Sequence, residues 1–136
     1  MHKFCIHLES KNWSAGSNFV GAIYFEVDGE CFPERGWTDF SLIIAPQWLT
    51  AMRCFVGGSH AESFHFMDGC RLGLKLRREG DESLLEVHEW RATGYRATHA
   101  YVITTQQIEE LIIELALKLD NAKRAFASRT RPPIDR

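Results

Sequence analysis

Apolar and polar positions along this chain alternate with two different periods, and the switches between them mark out its elements. Phe4, Ile6 and Leu8 alternate with Cys5, His7 and Glu9, a period of two that predicts a first strand. Lys11 to Asn18 is polar and small, and reads as a connection. Phe19 to Val27 forms a second strand, with Phe19, Gly21, Ile23, Phe25 and Val27 on one face. Asp28-Gly29 suits a tight hairpin, because both central positions of that turn take positive φ. Glu30-Cys31-Phe32 starts the return strand, and Pro33 ends it because it has no amide hydrogen to donate.

The period then lengthens. Pro46 fits the first turn of a helix, where no amide hydrogen is needed. Trp48, Leu49, Met52, Phe55 and Val56 follow at helical spacing, and Gly57-Gly58 stops the run. Phe40 to Ile44 fits a short buried strand or an earlier helical start, and periodicity alone does not choose between them. Beyond the glycines the pattern returns to strands. Ser63 to Met67 leads to an Asp68-Gly69 turn, and Leu72, Leu74 and Leu76 alternate with Arg71, Gly73 and Lys75. A charged turn surrounds Gly80-Asp81, and the next strand carries Leu85 and Val87 opposite Glu86, His88 and Trp90. A Thr93-Gly94 turn then leads into a last strand from Tyr95 to Thr104. Thr104 and Gln107 have capping-box spacing, and Ile108, Leu111, Ile112, Leu115, Leu119, Ala122 and Phe126 line one face of the closing helix. The expected architecture is α+β: an antiparallel meander sheet of about six to seven strands with two helices packed on it. A single domain spans residues 1–127, with a long C-terminal helix, and a flexible basic tail covers 128–136.

Composition narrows the function classes. No apolar run reaches the roughly 18 residues of a membrane span, and Met1 to His7 alternates rather than forming a leader, so the chain reads as a soluble, mature, cytoplasmic protein. Cys5, Cys31, Cys54 and Cys70 are spread out with no Cys-x-x-Cys pair, which favours reduced thiols over a zinc or dithiol site. The net charge is −2, with residues 118–136 at +4 and residues 1–117 at −6. An acidic body argues against a nucleic-acid surface.

No Gly-x-Ser-x-Gly elbow is present, and Gly57-Gly58 follows a helix instead of leading one, so it does not cradle phosphate. His60 and His65, at odd spacing on a strand, point to opposite faces. Folding the last hairpin about Thr93-Gly94 pairs His88 with His99, which would either hold a proton relay or sit as two polar groups on a solvent face. Asp39, near Glu34 and Arg35, would act as an acid–base group or would hydrogen-bond loop amides beside a half-buried Trp37. The aromatics, including Trp90, Tyr95 and Tyr101, fall mostly on positions that face a core. Arg71, Lys75 and Arg77 share a strand face beside Glu86 and Glu89, which suggests cross-strand ion pairs. No cofactor or metal is expected.

Three functions follow. The first is a non-enzymatic protein-binding module that uses an acidic patch with an aromatic neighbour, Asp81, Glu82, Glu86, Glu89 and Trp90, together with the loop residues Glu34, Arg35, Trp37 and Asp39. The second is a small enzyme or ligand-binding domain with a pocket near Asp39, His88 and His99. The third is a structural subunit that forms a homodimer through Ile113 and Leu117 on the final helix.

The run Phe32-Pro33-Glu34-Arg35-Gly36-Trp37-Thr38-Asp39-Phe40, the later Trp48-Leu49 and the hairpin Phe66-Met67-Asp68-Gly69 resemble small bacterial proteins of the polymorphic-toxin immunity type. The resemblance covers roughly residues 19–76 and carries no catalytic residues with it. It implies a cytoplasmic, non-enzymatic protein that binds and neutralises a bacterial toxin by blocking its active site or locking its fold.

Overall fold

A computed structural model describes residues 1–9 and 20–130. The expected connection at Lys11–Asn18, the Phe19 end of the second strand, the packing of Phe126 and the end of the tail lie outside the described residues. In chain order the elements are β1 (Phe4–Glu9), β2 (Gly21–Val27), β3 (Glu30–Phe32), β4 (Thr38–Asp39), α1 (Ser41–Val56), β5 (Ala61–Phe64), β6 (Leu72–Glu79), β7 (Glu82–Arg91), β8 (Gly94–Val102) and α2 (Thr105–Thr130). The α+β class and the long C-terminal helix hold. The strands, however, divide into two antiparallel four-stranded sheets instead of one meander.

In the first sheet β2 is central. β1 pairs along one edge, from Phe4 opposite Val27 to Glu9 opposite Ala22, while β3 and β4 share the other edge. The Asp28-Gly29 turn forms as expected, with φ of 51° and 90°. The second sheet is the meander β5-β6-β7-β8. α1 lies between the sheets and touches both, and α2 packs on α1 and β1. A single core results: Ile6, Phe25, Ile44, Trp48, Phe55, Phe64, Leu76, Leu85, Ile103 and Leu115 are all closed to solvent.

α1 starts a turn earlier than Pro46 suggests. The Phe40 carbonyl accepts the amides of Ile43 (3.0 Å) and Ile44 (2.9 Å), so the apolar strip before Pro46 is helical. Pro46 then sits inside the helix, where its cost is one missing bond to the carbonyl four residues back. The other end closes at Gly57-Gly58, and Arg78 reaches over from β6 to donate to the Phe55 carbonyl (2.6 Å) while lying 4.4 Å over the Phe55 ring. A cation on the last carbonyls of a helix suits its dipole.

The α2 start is the capping box read from the sequence: Gln107 N donates to Thr104 Oγ1 (3.1 Å) and Thr104 N to Gln107 Oε1 (2.9 Å). The helix runs to Thr130, so Ser128–Thr130, expected in the tail, have helical backbone. No described helix is long and apolar enough to cross a membrane.

Candidate docking face and pocket

The buried apolar side chains of β6 and β7 are Leu74, Leu76, Leu85 and Val87, which face α1 and the core. Their alternates point to the other side of the sheet. Register sets these in rows across the strands: Ser63, Lys75, Glu86 and Ala100 in one, then Gly73, His88 and Ala97, then Trp90 with Tyr95. β8 carries a bulge here. His88 pairs with Ala97, but Val87 pairs with His99, so Thr98 is an extra residue and the alternation inverts across it. Tyr95 therefore shares the outer face with His88 and Trp90, whereas His99 and Tyr101 turn inward against Phe32.

The hairpin turns one residue earlier than expected, on Ala92-Thr93 with Arg91 opposite Gly94, which takes His99 out of register with His88, and the bulge puts the two on opposite faces. His88 donates from Nε2 to Glu86 Oε1 (3.2 Å), and His99 lies 3.6 Å from Glu30 on the opposite face. Among the described residues, Asp39, His88 and His99 share no common pocket.

Asp39 belongs elsewhere again. It is 1% exposed. Its carboxylate accepts the Phe40 amide (2.7 Å), the Trp37 indole N–H (2.9 Å) and the amides of Met67 (2.9 Å) and Asp68 (3.2 Å). This pins the β5–β6 loop, which is why Asp68-Gly69 lies in a long connection and makes no tight hairpin. Asp39 is thus removed from any partner-facing set and acts on loop amides, the structural role anticipated for it. Trp37 is half-buried with its ring edge-on to Phe66 (6.3 Å), while Glu34 and Arg35 are exposed.

The acidic patch is also reorganised. Glu86 is buried, with Arg77 Nε at 3.0 Å on the same oxygen that His88 contacts. Burial works against its charge, yet the hydrogen bonds from His88 and Arg77 outweigh it and hold the carboxyl below the usual carboxylate range. Glu89 pairs with Arg91 (3.1 Å) and Glu79 with Arg77 (2.6 Å). Asp81 and Glu82 stay exposed, but they sit at the far end of β7 from Trp90, roughly 27 Å away at strand rise.

What the sequence reading missed is a cavity of about 230 Å³ on the outer face, lined by Ser63, His65, Gly73, Leu74, Lys75, His88 and Tyr95. Four elements build it, and the absent side chain of Gly73 leaves its floor open. A glycine inside an otherwise regular strand was the available signal. Trp90, a candidate docking residue from its sequence position, and Tyr95, grouped with the core-facing aromatics, form its rim: they are 51% and 59% exposed, with rings 4.7 Å apart and edge-on.

A larger cavity, about 330 Å³, opens between the N-terminus and α2. Several of its polar groups are occupied: Gln107 donates to the His2 carbonyl (2.8 Å), and Glu114 accepts from Lys118 and Cys5. Burial, with Glu114 alongside, pushes the Cys5 thiol up to about 11, far from a reactive thiolate. All four cysteines are free thiols. Among the described residues, no group of three or more His, Cys, Asp and Glu is arranged to hold a metal.

No family model, curated protein or solved structure matches the chain. The site therefore stands on its own geometry: a cross-strand aromatic pair, half in water, beside a polar hollow on an open sheet face.

Proposed function

We propose that the chain is a non-enzymatic protein-binding module whose partner seats on the outer face of the β5–β8 sheet. One observation carries this reading: Trp90 and Tyr95 stand exposed as neighbours at a hairpin end. Exposing both costs apolar hydration, and Trp and Tyr are the residues that most often anchor an interface. A hollow beside such an anchor gives a partner side chain somewhere to insert. In its sharper form the reading follows the resemblance to immunity-type proteins. The partner is then a bacterial toxin and docking neutralises it in the cytoplasm, through the sheet face and not through the acidic turn at Asp81 and Glu82.

The test is a pull-down from the native host with wild-type protein and with Trp90→Ala, followed by calorimetry on the partner identified by mass spectrometry. Truncating a central Trp anchor weakens binding by about 2 kcal/mol or more, roughly thirtyfold. Trp90→Ala should lose the partner while keeping the wild-type thermal midpoint. Undiminished affinity would move the interface, with Trp37 next in line.

A further inference from the structure

We propose that the hollow formed by Ser63, His65, Gly73, Lys75, His88 and Tyr95 receives a carboxylate. Resting on the docking reading above, that carboxylate is the side chain of an Asp or Glu on the partner.

The argument begins with a pairing that does not occur. Lys75 and Glu86 are direct cross-strand partners, the arrangement in which a Lys–Glu ion pair is the default. Glu86 instead turns to Arg77 and His88. Lys75 is left half-buried with no ion pair among the described residues. It is the one fixed cation lining the hollow.

Of the other polar groups, His88 is spent on Glu86, while Ser63, His65 and Tyr95 are exposed. Among the described residues, the hydroxyls of Ser63 and Tyr95 and the ring nitrogens of His65 make no hydrogen bond within the protein. The Lys75 ammonium can only donate, and the neighbouring hydroxyls and imidazole can donate too, so together they suit an acceptor-only group such as an ionised carboxylate. The Tyr95 ring supplies apolar wall, which strengthens a charge-assisted bond by excluding water.

Size and charge choose the carboxylate over a phosphate. At roughly 30 Å³ per water, the 230 Å³ cavity has room for an acidic side chain with a few waters. A phosphate dianion is served by arginine forks or a nest of backbone amides, and the lining offers neither. Glu86, the cross-strand neighbour of Lys75, already carries a negative charge offset by Arg77 and His88, so a monoanion meets less repulsion there than a dianion does.

The experiment titrates the full chain with N-acetylglutamate α-amide, with the glutamine analogue and with inorganic phosphate, following backbone amide shifts by NMR. The expected result is saturable shifts centred on Gly73, Lys75 and His88 with the glutamate probe alone. Lys75→Met, which keeps the stem and removes the charge, should weaken them by roughly tenfold or more. Gly73→Ala should weaken them as well: its new Cβ would meet only the Phe64 carbonyl, at an ordinary 3.5 Å, so the fold is retained while the floor is filled. Equal binding of the glutamine analogue, tighter binding of phosphate, or an unchanged response in both variants would overturn the proposal. Trp90→Ala separates the two readings. If it keeps full partner affinity while the glutamate probe still binds, the carboxylate site stands and the docking assignment falls.

Discussion

Replacing Asp39 with Ala removes one buried carboxylate and leaves four donors without their acceptor: the amides of Phe40, Met67 and Asp68 and the indole N–H of Trp37. A hydrogen bond to a charged group contributes about 1.5–3 kcal/mol. The four do not add. Met67 and Asp68 lie in an exposed loop, so water replaces the carboxylate for them, while Phe40 and Trp37 are half-buried and recover less. Counting only the latter pair gives a loss of roughly 3 kcal/mol, a large share of the ~5–15 kcal/mol that holds a domain of this size. Urea unfolding at neutral pH, followed by tryptophan fluorescence, should show a lower midpoint with an unchanged slope. Asp39→Asn should lose about half as much, because its oxygen can still take the three donors on Oδ2 while its amide nitrogen confronts only the Phe40 N–H. An Asp39→Ala loss below about 1 kcal/mol would refute the idea that this carboxylate ties the two loops together.

Glu86 gives a pH signature. Its folded carboxyl titrates below the ordinary 4.5, so its contribution is present above that value and is lost as the pH falls through the folded pKa. Glu86→Gln should therefore be less stable than wild type at neutral pH, with the gap closing in acid. Urea midpoints that stay parallel to the lowest pH would contradict this. Thr104→Ala breaks the capping box and should cost about 1 kcal/mol in thermal or urea unfolding, and a neutral result would mean that α2 starts without it. Ile113 and Leu117 are 61% and 62% exposed on α2, away from the proposed docking face. Changing both to Gln should leave partner affinity by calorimetry unaltered, whereas a sharp drop would place the interface on the helix.

The elements that could be read from sequence are those whose chemistry is local. Asp28-Gly29, Gly57-Gly58 and the Thr104–Gln107 box each need only a few adjacent residues to satisfy their own backbone groups, and all three form as expected. The misreadings arise where a distant residue overrules local pattern. Asp68-Gly69 has hairpin residues, but Asp39 captures the Met67 and Asp68 amides from about thirty residues away and holds the loop open. Strict alternation places Tyr95, His99 and Tyr101 on one face, and a single extra residue at Thr98 divides them. The candidate site suffered most, because it is assembled from positions 63 to 95 on neighbouring strands. Gly73 was its one local trace. The acidic patch was thinned mostly by neighbours on its own strand, His88 for Glu86 and Arg91 for Glu89, with Arg77 reaching Glu86 from the next strand, while Asp81 and Glu82 stay exposed.

Hydrogen–deuterium exchange on the purified complex is the most direct test of docking through the second sheet. Binding there predicts new protection in peptides covering Ser63–Arg71 and Glu86–Ala97, with Glu30–Trp37 and the exposed stripe of α2 exchanging as in the free protein. Protection confined to the Glu30–Trp37 loop, to Asp81–Glu82 or to α2, with the Trp90–Tyr95 hairpin unchanged, would contradict it.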